Sequence, residues 1–178
     1  MRIRIGAYFL PSLRRRERRE SLVETARDSG IALPTGAVRR CAMVKISGDY
    51  QGELHCSARH EPSGSELVTD APKDNQGRGE AFSPTDLVAT AMGTCIATTM
   101  AIAARKHGLD LKGLRFEVTK EMSTDSPRRI VRLATQIWMP IAETHPAAKP
   151  LVGAAHACPV HQSLHPAVDK PIAFHWAA

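Results

Sequence analysis

One long apolar segment, residues 83–107, limits the possible folds of this chain more than any other part of the sequence. Ser83 can accept a hydrogen bond as an N-cap, Pro84 suits the first helical position, and Asp86 supplies negative charge to the first turn. Gly108 can end the helix. These signals predict one helix of roughly 36 Å, which is long enough to cross a small domain.

Apolar and small side chains follow two neighbouring faces of this predicted helix, which indicates that most of its circumference is buried. Cys95 lies in the middle of one face, so we expect its thiol at the centre of the molecule. Small residues around Gly93 would let another backbone approach closely, and we expect this neighbour to be a second helix. The two faces consist of Leu87, Ala91, Cys95, Thr98 and Ile102, and of Val88, Met92, Ile96, Thr99 and Ala103.

The charge of the chain is concentrated at its N-terminal end. Of the net charge of +6, all comes from residues 1–42, which hold ten arginines and four acidic residues. The remaining residues hold fourteen basic and fourteen acidic side chains. The part of the chain with periodic patterns is therefore neutral, and we expect no nucleic-acid partner.

Cysteine usage and hydropathy both favour an intracellular protein. The four cysteines, at positions 41, 56, 95 and 158, are too widely spaced for the disulfide framework of a small secreted domain. No uninterrupted apolar run reaches the roughly 18 residues of a membrane span. The arginine cluster at residues 14–19 has the wrong polarity for a signal peptide. We therefore expect a cytoplasmic location and no membrane partner.

The sequence predicts two regions: residues 1–42, a basic N-terminal extension, and residues 43–178, a single domain. Every periodic segment begins after Met43. Two interpretations of the extension remain open. It is either a basic, disordered arm or a stretch that precedes the true start of the protein at Met43.

Strand and helix patterns alternate from Met43 onward. Two strands are predicted on either side of a turn at residues 47–49, a third at 66–70, and a hairpin at 114–122 and 128–140 with an irregularity near Val131. A second helix is predicted at 147–157, a short helix from Pro159, and a last strand at 172–176. This order indicates an α+β fold with sheets curled around helices. A helix that is apolar on so many sides also favours a homodimer.

Cys95 and Cys158 are the two candidate reactive residues. Cys158 precedes Pro159 and is therefore the predicted N-cap of the short helix, a position that lowers the pKa of a thiol. A buried thiol in the middle of a helix has no such help. From the residues alone, each cysteine is explained equally well as a small core residue, and their separation in sequence does not decide whether they meet.

The segments FSPTDLVATAMGTC and HACPVHQSL resemble the OsmC/Ohr family of osmotically inducible and organic hydroperoxide resistance proteins. The resemblance extends from Val44 to the C terminus and is carried by a proline eleven residues before the mid-helix cysteine and by the later Cys-Pro-Val. It implies an OsmC-like fold in which strands wrap two central helices and two copies form an intertwined homodimer.

The same resemblance implies a peroxiredoxin-like peroxidase in antioxidant stress defence. By this likeness Cys95 is the peroxidatic residue and Cys158 the resolving residue. The substrate would be an organic hydroperoxide, and the reductant a dithiol of the lipoyl or thioredoxin type. The apolar Met92, Ile96 and Met100 would favour hydrophobic peroxides.

The chain departs from the family at the residues that activate the thiol. The well-studied hydroperoxidases have a Glu directly after the helix-starting proline and pair it with an Arg from an earlier loop. This chain has Thr85 at the first position and Asp70 near the second. Arg78, in a glycine-flanked loop, and Asp86 are the candidate substitutes.

These observations predict reduction of organic hydroperoxides through a Cys95 sulfenic acid that Cys158 resolves, without a metal or organic cofactor. His156 and His161 flank Cys158, but they do not complete the four ligands of a zinc site. The alternative is a non-catalytic dimer of the same fold that senses redox state or holds a small hydrophobic ligand. The missing Glu and Arg favour this alternative.

Overall fold

The computed structural model describes residues 43–178, and the predictions for residues 1–42 lie outside the described residues. Val44–Ala178 forms one compact unit. Its helices and strands are, in chain order, β1 Ile46–Gly52, β2 His55–His60, β3 Glu66–Thr69, α1 Pro84–Arg105, β4 Arg115–Met122, β5 Ile130–Ala142, α2 Ala148–His156, α3 Pro159–Ser163 and β6 Ile172–Ala177. A short 3-10 turn, Lys73–Asn75, lies between β3 and α1.

The strands form two small sheets, so the predicted α+β class is confirmed. In the first sheet β2 pairs antiparallel with both β1 and β3. In the second sheet β5 pairs antiparallel with β4 and parallel with β6. The irregularity predicted near Val131 is confirmed, because Glu121 faces Arg132 while Met122 faces Ile130, which leaves Val131 as the extra residue.

Helix α1 begins where its sequence signals predict. The Ser83 hydroxyl accepts from the Asp86 backbone N–H, and the Asp86 carboxylate accepts from the Ser83 N–H, which makes a reciprocal capping box. Pro84 occupies the first helical position. Gly108, just beyond the helix, has the positive φ of 66° that only glycine adopts without strain.

Gly93 allows a strand rather than a helix to approach α1 closely. Helix α2 does pack against α1, as expected, but a Cβ atom on Gly93 would overlap the ring of Phe116 and lie 3.0 Å from Val118 Cγ2. Both of these side chains belong to β4. The expectation of a helical neighbour at this glycine is therefore wrong, because alternate residues of β4 point into the groove that the missing side chain leaves.

The turn between the first two strands lies about five residues later in the chain than predicted. Residues 47–49 continue β1, and the chain reverses at Glu53 and Leu54, whose φ angles are 49° and 65°. Gly52, which precedes them, also has a positive φ of 86°. The polar sequence SGD imitates a turn, but its residues pair in register with β2.

Only one side of α1 is buried within a single chain. Met92, Ile96 and Met100 are completely buried against the second sheet and α2, whereas Ile102 on the opposite side is 57% exposed. Thr94 and Thr98 on that side are exposed as well. The expectation that the helix is buried on most of its circumference is thus met on one side only.

Helix α1 is also apolar and long enough, by length and composition alone, to cross a membrane, with a mean hydropathy of 1.7 over its best window. This finding contradicts the sequence-based expectation that no segment is long enough. A core helix meets the same criterion, and α1 packs as one against β4 and α2.

Candidate redox site

The fold brings Cys95 and Cys158 together. Cys95 lies in the middle of α1 and is half-buried, whereas Cys158 is completely buried at the start of α3. Cys95 packs against the buried core cluster that contains Cys158, and it lies close enough to raise the pKa of that thiol. Both cysteines are free. Neighbouring thiols can form a disulfide when their Cα atoms lie about 4.4–6.8 Å apart.

The sequence places Cys158 at this point by ending one helix and beginning another. Helix α2 ends at His156, and Pro159 occupies the first position of α3, so Cys158 is the N-cap of α3 as predicted. Its carbonyl oxygen accepts from the Gln162 N–H at 3.0 Å, which is the first hydrogen bond of the short helix. The Gln162 side chain donates to the His156 carbonyl oxygen at 2.8 Å and closes the junction.

Burial decides the ionisation of Cys158. Burial raises the pKa of this thiol, and its hydrogen bond with Cys95 raises the pKa further. The backbone N–H groups of His161 and Val160 oppose this shift, but the net direction is upward. The expectation that the N-cap position lowers the pKa of Cys158 is therefore not met, because the loss of solvent outweighs the effect of the helix N-terminus.

A cation that sequence analysis missed lies at the start of α1. Lys120 of β4 donates from Nζ to Thr85 Oγ1 at 2.8 Å and to Asp86 Oδ1 at 2.5 Å. Ser83 Oγ lies 3.5 Å from the same nitrogen. Although burial acts in the opposite direction, hydrogen bonds from Lys120 and Ser83 lower the pKa of Asp86. The alternation of β4 pointed Lys120 toward the helix and could have revealed this contact.

The two predicted activating residues do not contact Cys95 within one chain. Asp86 precedes Cys95 by nine residues, which at the rise of an α-helix separates them by about 13 Å along its axis. The Arg78 side chain is exposed and lies 3.5 Å from Glu53 Oε2. Arg59 and Arg128, two further arginines of the described residues, are paired with carboxylates of their own.

An open groove with a volume of about 810 Å³ runs beside the first half of α1. Apolar groups on its walls include Ala89, Phe82 and Val118, and the polar end holds Asp86 and Lys120. Met92, Ile96 and Met100 are fully buried in the core. Cys95 packs against this core, and the expectation that these residues favour hydrophobic peroxides stays a prediction. Neither cysteine lines the groove.

The chain resembles known proteins in sequence and in structure. Residues 77–170 match the sequence model of a family described as OsmC-like protein. A protein from Psychrobacter arcticus 273-4, provisionally named for osmotic stress induction and detoxification, is 40% identical; the match covers 78% of this chain and 100% of that protein, with a TM-score of 0.70. A search of curated protein sequences gave no match.

More distant structures share the fold. The organic hydroperoxide resistance protein OsmC from Legionella pneumophila is 16% identical, with a TM-score of 0.63 over 75% of this chain and 97% of that one. A Vibrio cholerae protein provisionally named for organic hydroperoxide resistance, solved with captopril in one of its active sites, is 19% identical. Its TM-score is 0.62 over 76% of this chain and 94% of that one.

Proposed function

We propose, from the premise that this chain belongs to the OsmC-like protein family, that it is a cytoplasmic thiol-dependent peroxidase which reduces organic hydroperoxides. The observation that carries the proposal is the proximity of the half-buried Cys95 to the buried Cys158, since Cys95 packs against the core cluster that contains Cys158. Solved structures named for organic hydroperoxide resistance share this fold and support the same conclusion.

The chemistry needs three balanced steps. The Cys95 thiolate attacks the distal oxygen of the hydroperoxide, the O–O bond breaks, and the alkoxide leaves as an alcohol after taking up a proton. The resulting sulfenic acid condenses with the Cys158 thiol to form a disulfide and release water. An external dithiol of the lipoyl or thioredoxin type then exchanges with this disulfide, which restores both thiols and oxidises the donor.

The different burial of the two thiols supports their division of roles. Cys95 retains some solvent contact and can meet a peroxide, whereas Cys158 has no exposed surface. A raised pKa keeps Cys158 protonated at neutral pH, so it does not compete for the first attack. Cys95 packs against the cluster that contains Cys158, which favours Cys158 as the residue that traps the sulfenic acid before over-oxidation.

A homodimer is part of the proposal. The side of α1 next to Cys95 carries Ile102, which is 57% exposed in a single chain, together with Leu87 and Ala91. A second copy packed on this side would cover the apolar surface and complete the pocket around Cys95. Because Asp86 is about 13 Å from Cys95 in its own chain, it could act on Cys95 only across such an interface.

Peroxide turnover by the full-length protein tests the proposal. With a dithiol as reductant, we expect turnover of an alkyl hydroperoxide and loss of that turnover in Cys95→Ser. In Cys158→Ser we expect one oxidation per chain and a sulfenic acid that dimedone labels at Cys95. Cys56→Ser is the matched control, since Cys56 is a half-buried strand residue outside the pair. Full turnover by Cys95→Ser would refute the assignment.

The second candidate is a non-catalytic dimer that binds a small hydrophobic ligand or senses redox state. The pairing of Arg59, Arg78 and Arg128 with carboxylates favours it, since none of these arginines is free to stabilise a Cys95 thiolate within its own chain. Negligible turnover together with an apolar ligand that co-purifies with the protein would decide for this candidate.

A further inference from the structure

Three side chains from distant parts of the sequence converge beside the loop that leads into α1. His55 is the first residue of β2, Asp70 follows β3 directly, and Glu80 lies in the segment before Ser83. One ligand atom from each of the three lies within 4.8 Å of the others. No local pattern of residues indicates this cluster, because its members are far apart in the chain and meet only in the folded structure.

The spacing of the three groups does not fit direct hydrogen bonds. His55 Nε2 lies 3.8 Å from Asp70 Oδ1 and 3.4 Å from Glu80 Oε2, whereas N–H···O hydrogen bonds span about 2.7–3.2 Å. Two ligands that each lie about 2.0–2.1 Å from a tetrahedral zinc ion are about 3.4 Å apart. The separation of His55 from Glu80 equals this distance, and that of His55 from Asp70 exceeds it by about 0.4 Å. These separations leave room for an ion between the side chains, with a small closing movement of Asp70 or Glu80.

Asp70 provides an independent indication of a missing ligand. Its side chain is completely buried, and Oδ1 has no hydrogen-bond partner among residues 43–178. The other oxygen, Oδ2, accepts from the Glu80 backbone N–H at 2.9 Å. This bond fixes the carboxylate so that its unsatisfied oxygen is turned toward His55. A buried polar atom without a partner is costly, and a cation in the gap would satisfy it.

The orientation of His55 also suits a metal ligand. Its Nδ1 lies 2.9 Å from the Glu53 carbonyl oxygen, which can only accept a hydrogen bond. The Nδ1 therefore carries a proton, and in the neutral imidazole Nε2 has a lone pair that faces the two carboxylates. Histidine ligands in proteins are typically held in this way, with the second ring nitrogen donating to a carbonyl or carboxylate.

We propose that His55, Asp70 and Glu80 bind a divalent transition-metal ion, with zinc as the best-fitting class. One imidazole nitrogen and two carboxylate oxygens are donors that zinc accepts, and three protein ligands leave a fourth position for water. Glu80 is 59% exposed on its side chain, so that position is open to solvent. The ion would pin the segment between β3 and α1 onto the first sheet, where the Asp70 N–H already donates to the Phe82 carbonyl oxygen at 3.2 Å.

This proposal does not depend on the peroxidase assignment. Neither Cys95 nor Cys158 belongs to the cluster, so the two can fail separately. The cysteines can themselves bind zinc, however, and the test must separate thiolate ligation from ligation by imidazole and carboxylate.

The test is metal titration of the full-length, chelator-treated protein. We expect one zinc equivalent per chain that is lost from His55→Gln, with affinity weakened at least about tenfold in Glu80→Gln. His60→Gln is the matched control, because His60 lies at the other end of the same strand and bonds to Ser63 instead. We also expect zinc to raise the thermal midpoint of the wild type and of His60→Gln, but not that of His55→Gln.

Cobalt replaces zinc to identify the donors. We expect visible d–d bands without a thiolate charge-transfer band in the wild type, and their loss in His55→Gln. Equal zinc affinity in the wild type and His55→Gln, a thiolate band at the one-equivalent point, or no binding by the wild type would each overturn the proposal. The glutamine variants keep the size of the side chain, and their folding is checked by circular dichroism so that loss of binding is not loss of fold.

Discussion

Lys120 Nζ lies 2.5 Å from Asp86 Oδ1 and links the C-terminal part of β4 to the first turn of α1. The Lys120 side chain is only 16% exposed, whereas that of Asp86 is 38% exposed. Lys120→Met keeps the length of the side chain but removes its charge. We expect it to lower the free energy of unfolding by about 1 kcal/mol, a value reduced from that of a fully buried charged hydrogen bond because of solvent screening. Urea unfolding measures the change.

A surface pair provides the control for this substitution. Arg59 on β2 pairs with Glu66 at 2.9 Å, and both side chains are more than half exposed. Arg59→Met should change the free energy of unfolding by less than about 0.5 kcal/mol. Equal effects of the two substitutions would show that the contact between Lys120 and Asp86 is no stronger than an ordinary surface pair.

The same contact predicts a dependence of stability on pH. Hydrogen bonds from Lys120 and Ser83 outweigh burial and lower the pKa of Asp86 in the folded protein. A lowered pKa stabilises the fold above the unfolded value of about 3.9, and this contribution is lost as the pH falls through the folded value. The stability advantage of the wild type over Asp86→Asn should therefore be complete near neutral pH and shrink below about pH 4. An advantage that stays constant in acid would contradict this account.

A side chain at position 93 is expected to disturb the packing of α1 against β4. A Cβ atom there would overlap the Phe116 ring and crowd Val118, so we expect Gly93→Ala to destabilise the protein by about 1 kcal/mol, since the overpacking cost exceeds the gain in helix propensity. Gly153 in α2 has open space around it, and Gly153→Ala should instead stabilise by up to about 1 kcal/mol. Thermal unfolding of both variants checks the opposite signs.

Phe116 identifies the cause of this effect. If the ring is the obstacle, the Phe116→Leu substitution should lower the free energy of unfolding by less in the Gly93→Ala protein than in the wild type. A double-mutant cycle measures this coupling. Additive effects of the two substitutions would mean that Gly93 is needed for another reason.

Local signals predicted those parts of the fold that depend on neighbours in sequence. The capping residues Ser83 and Asp86 located the start of α1, and the break in alternation at Val131 located the bulge. The family resemblance paired Cys95 with Cys158, and in the structure Cys95 packs against the core cluster that contains Cys158. Its assignment of their catalytic roles stays a prediction.

Contacts between distant segments could not be predicted in the same way. Lys120 meets Asp86 only because β4 crosses the start of α1, and burial of Cys158 overrides the N-cap effect that its local position suggests. His55 and Asp70 likewise approach each other through the pairing of β2 with β3. In each case the surroundings of the side chain are created by tertiary packing, and these surroundings cannot be predicted from the local pattern of residue types.

The effect of Cys95 on the pKa of Cys158 predicts how Cys158 responds when Cys95 is removed. Burial raises the pKa of Cys158, and the hydrogen bond with Cys95 raises it further. Removal of the partner in Cys95→Ala should therefore lower the pKa of Cys158 and move its alkylation profile to lower pH. Iodoacetamide labelling across a pH series, read by mass spectrometry of the Cys158 peptide, measures the shift. An unchanged or higher midpoint would show that the two thiols do not interact.

The exposed side of α1 predicts the oligomeric state. Ile102 is 57% exposed in one chain, so a charged residue there should cost a monomer little but should disrupt a dimer that buries this side. We expect Ile102→Glu to shift the full-length protein from dimer to monomer in sedimentation velocity, with its circular dichroism unchanged. Lys106→Glu, one residue beyond the end of α1 and also exposed, is the control and should leave the dimer intact. A wild type that sediments as a monomer would contradict the proposed homodimer, and a dimer that Ile102→Glu leaves unchanged would place the interface elsewhere. Either result would remove the route by which Asp86 of a second copy could reach Cys95.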